Sequence, residues 1–226
     1  MLLAIPDLLD ADELARVRSL VETAGWADGR ATAGTQSAQV KRNLQLPELD
    51  VAAREAQGIV LAALDRSALF FSAALPRRIY PPLFNRYEGG MHFGSHVDNA
   101  IRTHAASGQR IRTDLSATLF LAEPESYDGG ELVIDDTYGS HAVKLPAGHL
   151  VLYPATSLHR VEPVTRGSRL ACFFWLESLV RDDGERTLLF DLDAGVGRLR
   201  QAHGDGEIAV ALTGISHNLL RRWAVA

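Results

Sequence analysis

Three side chains that are far apart in the sequence have the chemistry expected of one metal site. His96 and Asp98 lie two residues apart after the glycine-containing stretch 89–94, and His159 lies 63 positions beyond His96. Residues two apart in an extended strand point to the same face, so the imidazole at 96 and the carboxylate at 98 can converge on one ion. Two histidines and one carboxylate leave three octahedral positions open, which favours non-haem Fe(II) and oxygen chemistry.

The local sequence around these ligands strengthens the interpretation. A lone His-x-Asp pair is weak evidence, but this pair follows a glycine-rich turn after a predicted strand. The second histidine follows a strand and turn at 153–156. We therefore predict that His96, Asp98 and His159 are the metal ligands and the catalytic centre.

An arginine at a fixed interval from the second histidine adds an anion-binding group. Arg169 lies ten residues after His159, at the start of an apolar run. A guanidinium can hold a carboxylate through two parallel hydrogen bonds, so we predict that Arg169 binds an anionic cofactor. The alternative is a surface arginine in the turn at 165–168, and Arg166 suits that role better.

The N-terminal third of the chain predicts helices that support the site. Asp10 can cap a helix that runs to about Ala24, and Glu13 is placed to complete a capping box. The stretch 26–39 has no hydrophobic period, and we predict a loop there with room for one short strand. The Ala-rich stretch 49–73 has helical spacing and predicts one long helix that packs on a sheet.

The middle of the chain has the pattern of a β-sandwich or barrel, with short apolar runs separated by Gly, Pro and Asp. The predicted strands are 83–87, 115–121, 131–134, 150–153, 159–164 and 170–176. The stretch 100–109 lacks period and bulk, and we predict a mobile loop beside the metal. Two amphipathic helices are predicted after about residue 182.

Composition limits the classes of partner and compartment. The formal net charge of the 226-residue chain is −5, which argues against a nucleic-acid partner because phosphate binding needs a basic face. No apolar stretch is long enough to span a bilayer, and the N-terminus lacks the pattern of a signal peptide. Cys172 is the single cysteine and lies in an apolar run, so we expect a buried thiol and a cytoplasmic protein.

Three stretches carry a resemblance to a known family. Residues 87–100, 127–132 and 152–161 resemble the Fe(II)/2-oxoglutarate dioxygenases of the prolyl-4-hydroxylase type and, more narrowly, the bacterial PKHD-type hydroxylases. The resemblance implies an α+β fold, in which a double-stranded β-helix (jelly roll) is packed by N-terminal helices and followed by a small helical region. The implied division is 1–77 for the support, 78–178 for the dioxygenase jelly roll and 179–226 for the C-terminal helical region.

The resemblance also implies a reaction and its cofactors. 2-Oxoglutarate and O2 would be converted to succinate and CO2 at Fe(II) while an unidentified substrate is hydroxylated. Arg169 is similar in position to the residue that binds the distal carboxylate of 2-oxoglutarate, and the Tyr87 hydroxyl would help to hold it. A half-buried strand tyrosine is the alternative for Tyr87. L-Ascorbate, as the reductant of oxidised iron, is implied by the family alone.

Two other functions stay open at this point. One is a sensor module that binds a metal or 2-oxoglutarate on the same barrel without turnover, although the complete ligand set argues against it. The other is a cupin-like zinc or manganese enzyme, which a His-x-Asp pair fits poorly. The substrate is open between a small molecule and a protein or peptide. We expect its pocket wall to come from 26–39, 100–109 and the C-terminal helices.

Several further polar residues have no assigned role. We give His92 no ligand role because a turn separates it from His96. Glu131 suits a buried hydrogen-bonding role, while Arg110 and Arg112 suit either the pocket mouth or a solvated edge. The apolar faces of the terminal helices leave a homodimer open.

Overall fold

Among the described residues, two larger antiparallel β-sheets, two two-stranded sheets (Ile101–Thr103 with Arg110–Arg112, and Asp128–Gly129 with Val164–Arg166) and six α-helices make up the fold. The computed structural model describes residues 1–32 and 37–225. The helices are α1 Ala11–Glu22, α2 Ser37–Val40, α3 Val51–Arg66, α4 Ala68–Ala74, α5 Asp183–His203 and α6 Glu207–Trp223. The strands are β1 Leu3–Ile5, β2 Ala27–Asp28, β3 Lys41–Arg42, β4 Leu44–Gln45, β5 Pro76–Ile79, β6 Leu83–Glu88, β7 His92–His96, β8 Ile101–Thr103, β9 Arg110–Arg112, β10 Leu115–Phe120, β11 Asp128–Gly129, β12 Leu132–Asp136, β13 Gly139–Val143, β14 Leu150–Pro154, β15 Leu158–Val161, β16 Val164–Arg166 and β17 Ser168–Ser178.

The larger sheet has eight strands, in the order β1-β14-β10-β17-β6-β4-β2, with β5 paired to β17. Its centre is β17, whose eleven residues pair with β10 on one side and with β6 on the other. The smaller sheet has the order β13-β12-β15-β7-β3. Side chains from both sheets pack in one hydrophobic core. This arrangement confirms the expected jelly roll with helices packed around it.

The N-terminal helices α1, α3 and α4 pack against the larger sheet, because their buried residues join the same hydrophobic core as β6 and β17. The predicted capping box of α1 is present, with Asp10 and Glu13 exchanging hydrogen bonds across the first turn. The prediction of one helix over 49–73 is wrong in one respect, since the helix breaks at Ser67. That residue has an extended backbone, and its side chain accepts a hydrogen bond from the Phe70 amide to cap α4.

Two loop predictions also need correction. The stretch 100–109 is not a plain loop, because β8 and β9 pair from Ile101↔Arg112 to Thr103↔Arg110 as a hairpin. In the stretch 26–39, β2 supplies the single short strand, while a 3-10 turn at Gly29–Thr32 and α2 were not predicted. Part of that stretch, residues 33–36, lies outside the described residues. Both segments are rich in small and polar residues, so no hydrophobic pattern marks the short strands, of which β8 pairs with β9 and β2 pairs with β4.

The two C-terminal helices form a separate small core. Leu75, Val180 and Leu189 are buried there, and Leu219, Leu220 and Trp223 of α6 pack against them. The helices therefore extend the fold on the side of α4 and confirm the small helical region. Within residues 1–32 and 37–225, no helix combines the length and the apolar character that a membrane span requires.

Candidate metal and 2-oxoglutarate site

The three predicted metal ligands come together at one edge of the smaller sheet. His96 ends β7, His159 lies in the neighbouring strand β15, and the two residues are directly paired across the ladder. Asp98 lies just past the end of β7. One ligand atom from each of the three residues lies within 4.8 Å of the other two. Residues 63 positions apart in sequence thus meet because two antiparallel strands hold them in register.

Backbone carbonyls fix the orientation of both imidazoles. His96 Nδ1 lies 2.8 Å from the Gly94 carbonyl oxygen, and His159 Nδ1 lies 3.0 Å from the Ser157 carbonyl oxygen. A carbonyl can only accept, so each Nδ1 carries the proton and each Nε2 keeps its lone pair. This tautomer presents Nε2 of both rings to a metal ion.

A serine of the opposite sheet orients the carboxylate. Ser116 on β10 donates a 2.6 Å hydrogen bond from Oγ to Asp98 Oδ2. His159 Nε2 lies 3.7 Å from that same Oδ2. The carboxylate is thus held between the two sheets, with its position set before any ion binds.

The surroundings of His96 keep its ring neutral. The Phe93 ring stacks on it with a centroid separation of 3.6 Å. Burial, followed by the nearby His159, lowers the pKa of His96 to about 4. A neutral imidazole is the form that binds a metal, so at neutral pH no proton must leave His96 first.

The predicted anion-binding arginine is buried in the same cavity. Arg169 is 1% exposed, and its guanidinium carbon lies 5.4 Å from the Tyr87 ring centroid and 5.2 Å from that of Phe120. It makes no ion pair with any described residue, and its Nε has no hydrogen-bond partner there. A buried, uncompensated cation is costly, so the cavity offers a strong position for a ligand carboxylate.

Two tyrosines line the cavity beside Arg169. Tyr87 pairs with Arg169 across the ladder between β6 and β17, and burial raises the pKa of Tyr87 to about 12. Burial likewise raises the pKa of Tyr153, which lies at an edge-to-face distance of 5.2 Å from His159. Both phenols therefore keep their protons at neutral pH and can donate hydrogen bonds to a bound anion.

Other candidates from the sequence fall outside the cavity. The turn predicted between His92 and His96 is not formed, because both residues lie on β7, but His92 is outside the ligand group and its Nδ1 lies 3.2 Å from the Gly90 carbonyl oxygen. Glu131 is half-buried, with Lys144 Nζ at 3.9 Å. Arg112 forms a two-point ion pair with Asp114, at 2.7 and 2.8 Å. Arg110 is exposed.

The composition of the cavity wall corrects another expectation, because neither C-terminal helix contributes a residue to it, and no described residue of 26–39 or 100–109 does so either. The wall comes from strands of both sheets, including Lys41 at the start of β3, and from Asp98. Lys41 and Ser116 were not predicted from the sequence. The sequence contains an indication of the role of Ser116, since Ser116 and Thr118 alternate with apolar residues in a buried strand. It contains no such indication for Lys41, because β3 is two residues long.

The donor set fits a first-row divalent ion. Two neutral nitrogen donors and one carboxylate suit Fe(II), and they occupy one side of the site. The buried guanidinium with an unpartnered nitrogen fits the distal carboxylate of a keto acid that chelates the same ion. The residues present therefore fit both Fe(II) and 2-oxoglutarate.

Comparison with known proteins gives the class and then the family. Residues 82–177 match the 2OG-Fe(II) oxygenase superfamily, and residues 183–224 match the PKHD-type hydroxylase C-terminal domain. The chain is 62% identical over 226 residues to a PKHD-type hydroxylase of Xanthomonas axonopodis pv. citri, covering 99% of both chains. A PKHD-type hydroxylase of Bordetella pertussis is 59% identical over 223 residues, again at 99% of both chains. The chain belongs to the PKHD-type hydroxylases.

Solved structures agree on the fold. A Pseudomonas putida prolyl-4-hydroxylase covers 78% of this chain and 92% of its own length at 20% identity, with a TM-score of 0.54. A Trichoplax adhaerens prolyl hydroxylase covers 83% and 86% at 16% identity, with a TM-score of 0.55. The protein is thus a 2-oxoglutarate-dependent dioxygenase that uses Fe(II) and O2. Family membership decides against the sensor module and the cupin-like enzyme.

Proposed function

We propose that His96, Asp98 and His159 hold the Fe(II) ion, and that Arg169 and Tyr87 bind the distal carboxylate of 2-oxoglutarate. The observation that carries this proposal is the convergence of three ligand atoms within 4.8 Å in a cavity that also contains a buried arginine. Each member lies on a strand of one of the two sheets, except Asp98, which lies two residues past the end of β7. Such rigid placement suits a site in which a metal and a co-substrate must meet in one geometry.

The chain's own residues prepare the site for chemistry that the iron and the keto acid supply when bound, namely oxidative decarboxylation coupled to hydroxylation. Gly94 and Ser157 carbonyls set the imidazole tautomers, and Ser116 holds the carboxylate oxygen. Arg169 and the two protonated tyrosines orient the keto acid from its far end. The apolar walls exclude water, which strengthens the interaction between the guanidinium and the carboxylate.

The test is succinate formation from 2-oxoglutarate with added Fe(II) and O2, in the absence of any other substrate. We expect wild type to release succinate, and we expect His96→Ala and Asp98→Ala to lose at least about 100-fold of that rate because each removes one ligand. His92→Ala is the matched control, since it lies on the same strand and should keep the rate. Wild-type rates in both ligand variants would overturn the assignment.

Four further expectations are part of the proposal. Ascorbate acts as an external reductant, which stimulation of multiple-turnover succinate release would test.

The single cysteine, buried at 172, supports a reducing cytoplasmic compartment. Exposed Ile208 and Ile215 on α6 support a homodimer, which light scattering would test.

The division at 1–77, 78–178 and 179–226 is supported by the separate core of the last two helices.

A further inference from the structure

The strand β17 runs from Arg169, which we propose to bind the keto acid, to two aromatic rings of the cavity wall. Alternate residues of β17 point to the same side, and Arg169, Phe173 and Trp175 all line the cavity. Six residues of extended chain span about 20 Å. If the keto acid occupies the end near Arg169, then Phe173 and Trp175 face the part of the cavity left for the substrate.

A lysine is buried in this substrate-facing part. Lys41 is 4% exposed and lines the cavity, with its Nζ at 5.4 Å from the Phe93 ring centroid and 5.9 Å from that of Phe173. Its ammonium donates a 3.0 Å hydrogen bond to the side-chain oxygen of Gln45. Keeping an ammonium group at this depth is costly. A cation is therefore held between two aromatic rings close to the metal ligands.

An arginine from the β8–β9 hairpin adds a second cation beside Trp175. The guanidinium carbon of Arg102 on β8 lies 4.0 Å from the Trp175 ring centroid and 5.1 Å from that of Tyr80. Stacking covers the flat faces of a guanidinium and leaves its in-plane N–H groups to recognise an anion. Arg102 makes no ion pair among the described residues, and its Nε has no hydrogen-bond partner there. Its hydrogen-bonding capacity is thus not used up within that part of the chain.

Three acidic groups lie near these cations, and each has another partner. Asp28, whose charge acts on Lys41, is ion-paired with Arg30. Asp98 is taken by the metal in the proposed function. Glu48 accepts the 2.7 Å hydrogen bond from the Tyr80 hydroxyl. Lys41 and Arg102 lie close enough for their charges to repel each other. With iron bound, the substrate side is therefore cationic and lined with aromatic rings.

We propose that the hydroxylated substrate carries a carboxylate, which Lys41 in the cavity wall and Arg102, stacked on Trp175, bind while the rings of Phe173 and Trp175 hold its apolar body. This inference rests on the proposed function, because it assumes that 2-oxoglutarate fills the end near Arg169. Lys41 and Arg102 select the substrate by charge, and Arg102 adds the directional fit of a planar donor.

The probes are small acids with neutral counterparts of the same shape. Protein loaded with Mn(II) and saturating 2-oxoglutarate would be titrated with 3-phenylpropionate and with 3-phenylpropionamide. A second pair would be acetyl-Ala-Glu-Ala-amide and the same tripeptide with Gln. Paramagnetic broadening of probe protons, referenced to Zn(II)-loaded protein, reports both binding and closeness to the metal. We expect each acid to bind about tenfold more tightly than its amide.

Variants assign that preference to the two cations. Lys41→Met and Arg102→Gln should each remove most of the preference for the acid, and Arg102→Lys should restore part of it. Arg110→Gln is the matched control, because it lies on the paired strand of the same hairpin, is exposed, and should bind as wild type does. Arg102 lies on the two-stranded hairpin, so its variants test the inference independently of the buried Lys41.

Each outcome either supports or overturns the inference. A larger preference for 3-phenylpropionate over its amide than for the Glu tripeptide over its Gln form identifies a small-molecule substrate, and the reverse order identifies an acidic polypeptide. Equal binding of acids and amides, or a preference that survives loss of either cation, overturns it. Failure of the Mn(II)-loaded protein to bind 2-oxoglutarate refutes the proposed function, and this inference falls with it.

Discussion

At the residue scale, the site depends on the groups that form hydrogen bonds to His96, His159 and Asp98 and so fix their orientation. The Gly94 and Ser157 carbonyls hold the protonated nitrogen of each imidazole, and Ser116 holds one oxygen of Asp98. The convergence of His96, Asp98 and His159 could be predicted, because His-x-Asp and a distant histidine form a recognisable chemical set. Their supports could not, since a backbone carbonyl leaves no mark in the sequence and Ser116 comes from the opposite sheet.

Ser116→Ala tests the support of the carboxylate. Removing a hydrogen bond to a ligand lets the carboxylate rotate away from the ion, and typical losses are about 10–100-fold in metal affinity. We expect a fall of that size in Fe(II) affinity, measured by anaerobic titration, with the fold retained. Ser140→Ala, which removes an exposed hydrogen bond to Asp135 on the edge of the smaller sheet, should bind iron as wild type does. Equal affinities in the two variants would contradict the role of Ser116.

Arg169→Met tests the proposed binding of the 2-oxoglutarate carboxylate by Arg169. Methionine fills part of the space but removes both charge and donors, and charge-assisted hydrogen bonds contribute about 1.5–3 kcal/mol each. We expect the KM for 2-oxoglutarate to rise by at least about tenfold in succinate-release assays. Arg166→Met is the control three residues away, because Arg166 forms an exposed ion pair with Asp128. A larger effect from Arg166→Met would refute the assignment.

At the element scale, what could be predicted depends on how local each signal is. Most strands with buried, apolar runs were predicted within a few residues, since their neighbours in sequence carry the pattern. The single strand predicted over 159–164 is wrong, because the chain forms two strands there, β15 and β16, interrupted at Glu162 and Pro163. The strand β7 was not, because half-buried residues with two histidines show no alternation. The break at Ser67 was missed because α3 and α4 have the same helical spacing on both sides of the cap.

Gly130 shows how a turn makes space for the clamp. A Cβ added there would lie 3.0 Å from Arg169 Cδ, 3.1 Å from a Tyr127 ring carbon and 2.8 Å from a Val164 methyl carbon. Gly130→Ala should therefore displace Arg169 and raise the KM for 2-oxoglutarate several-fold. Gly139→Ala is matched, since φ is also positive (+130°) and a Cβ there meets no described atom within 4 Å. Both variants should lose about 1 kcal/mol of stability, and only the first should lose keto-acid affinity.

At the scale of the whole molecule, Lys41 lowers the stability of the fold. Burial, and then the charge of Arg102, lowers the pKa of Lys41 to about 8. Below that pH both the folded and the unfolded chain carry the proton, so the folded state bears the full cost. Lys41→Met should therefore raise the free energy of unfolding at pH 7 by about 1–3 kcal/mol, measured in urea.

The pH dependence of the difference in unfolding free energy between Lys41→Met and wild type shows whether the charge of Lys41 destabilises the fold. Between pH 8 and the ordinary lysine value of 10.5, the folded wild type loses its proton before the unfolded chain does, so its stability rises with pH. The gap between Lys41→Met and wild type should thus narrow from pH 7 to pH 9.5. A gap that widens would show that Lys41 stabilises the fold as a cation.

The most direct test of the central claim is an anaerobic titration with Fe(II) and 2-oxoglutarate followed by equilibrium dialysis. The account predicts one Fe(II) per wild-type chain, with tight 2-oxoglutarate binding only when the metal is present. Asp98→Ala should lose both, while Asp128→Ala, which removes an exposed carboxylate on β11, should keep both. Stoichiometric iron and metal-dependent 2-oxoglutarate binding in Asp98→Ala would contradict the claim that His96, Asp98 and His159 form the iron site.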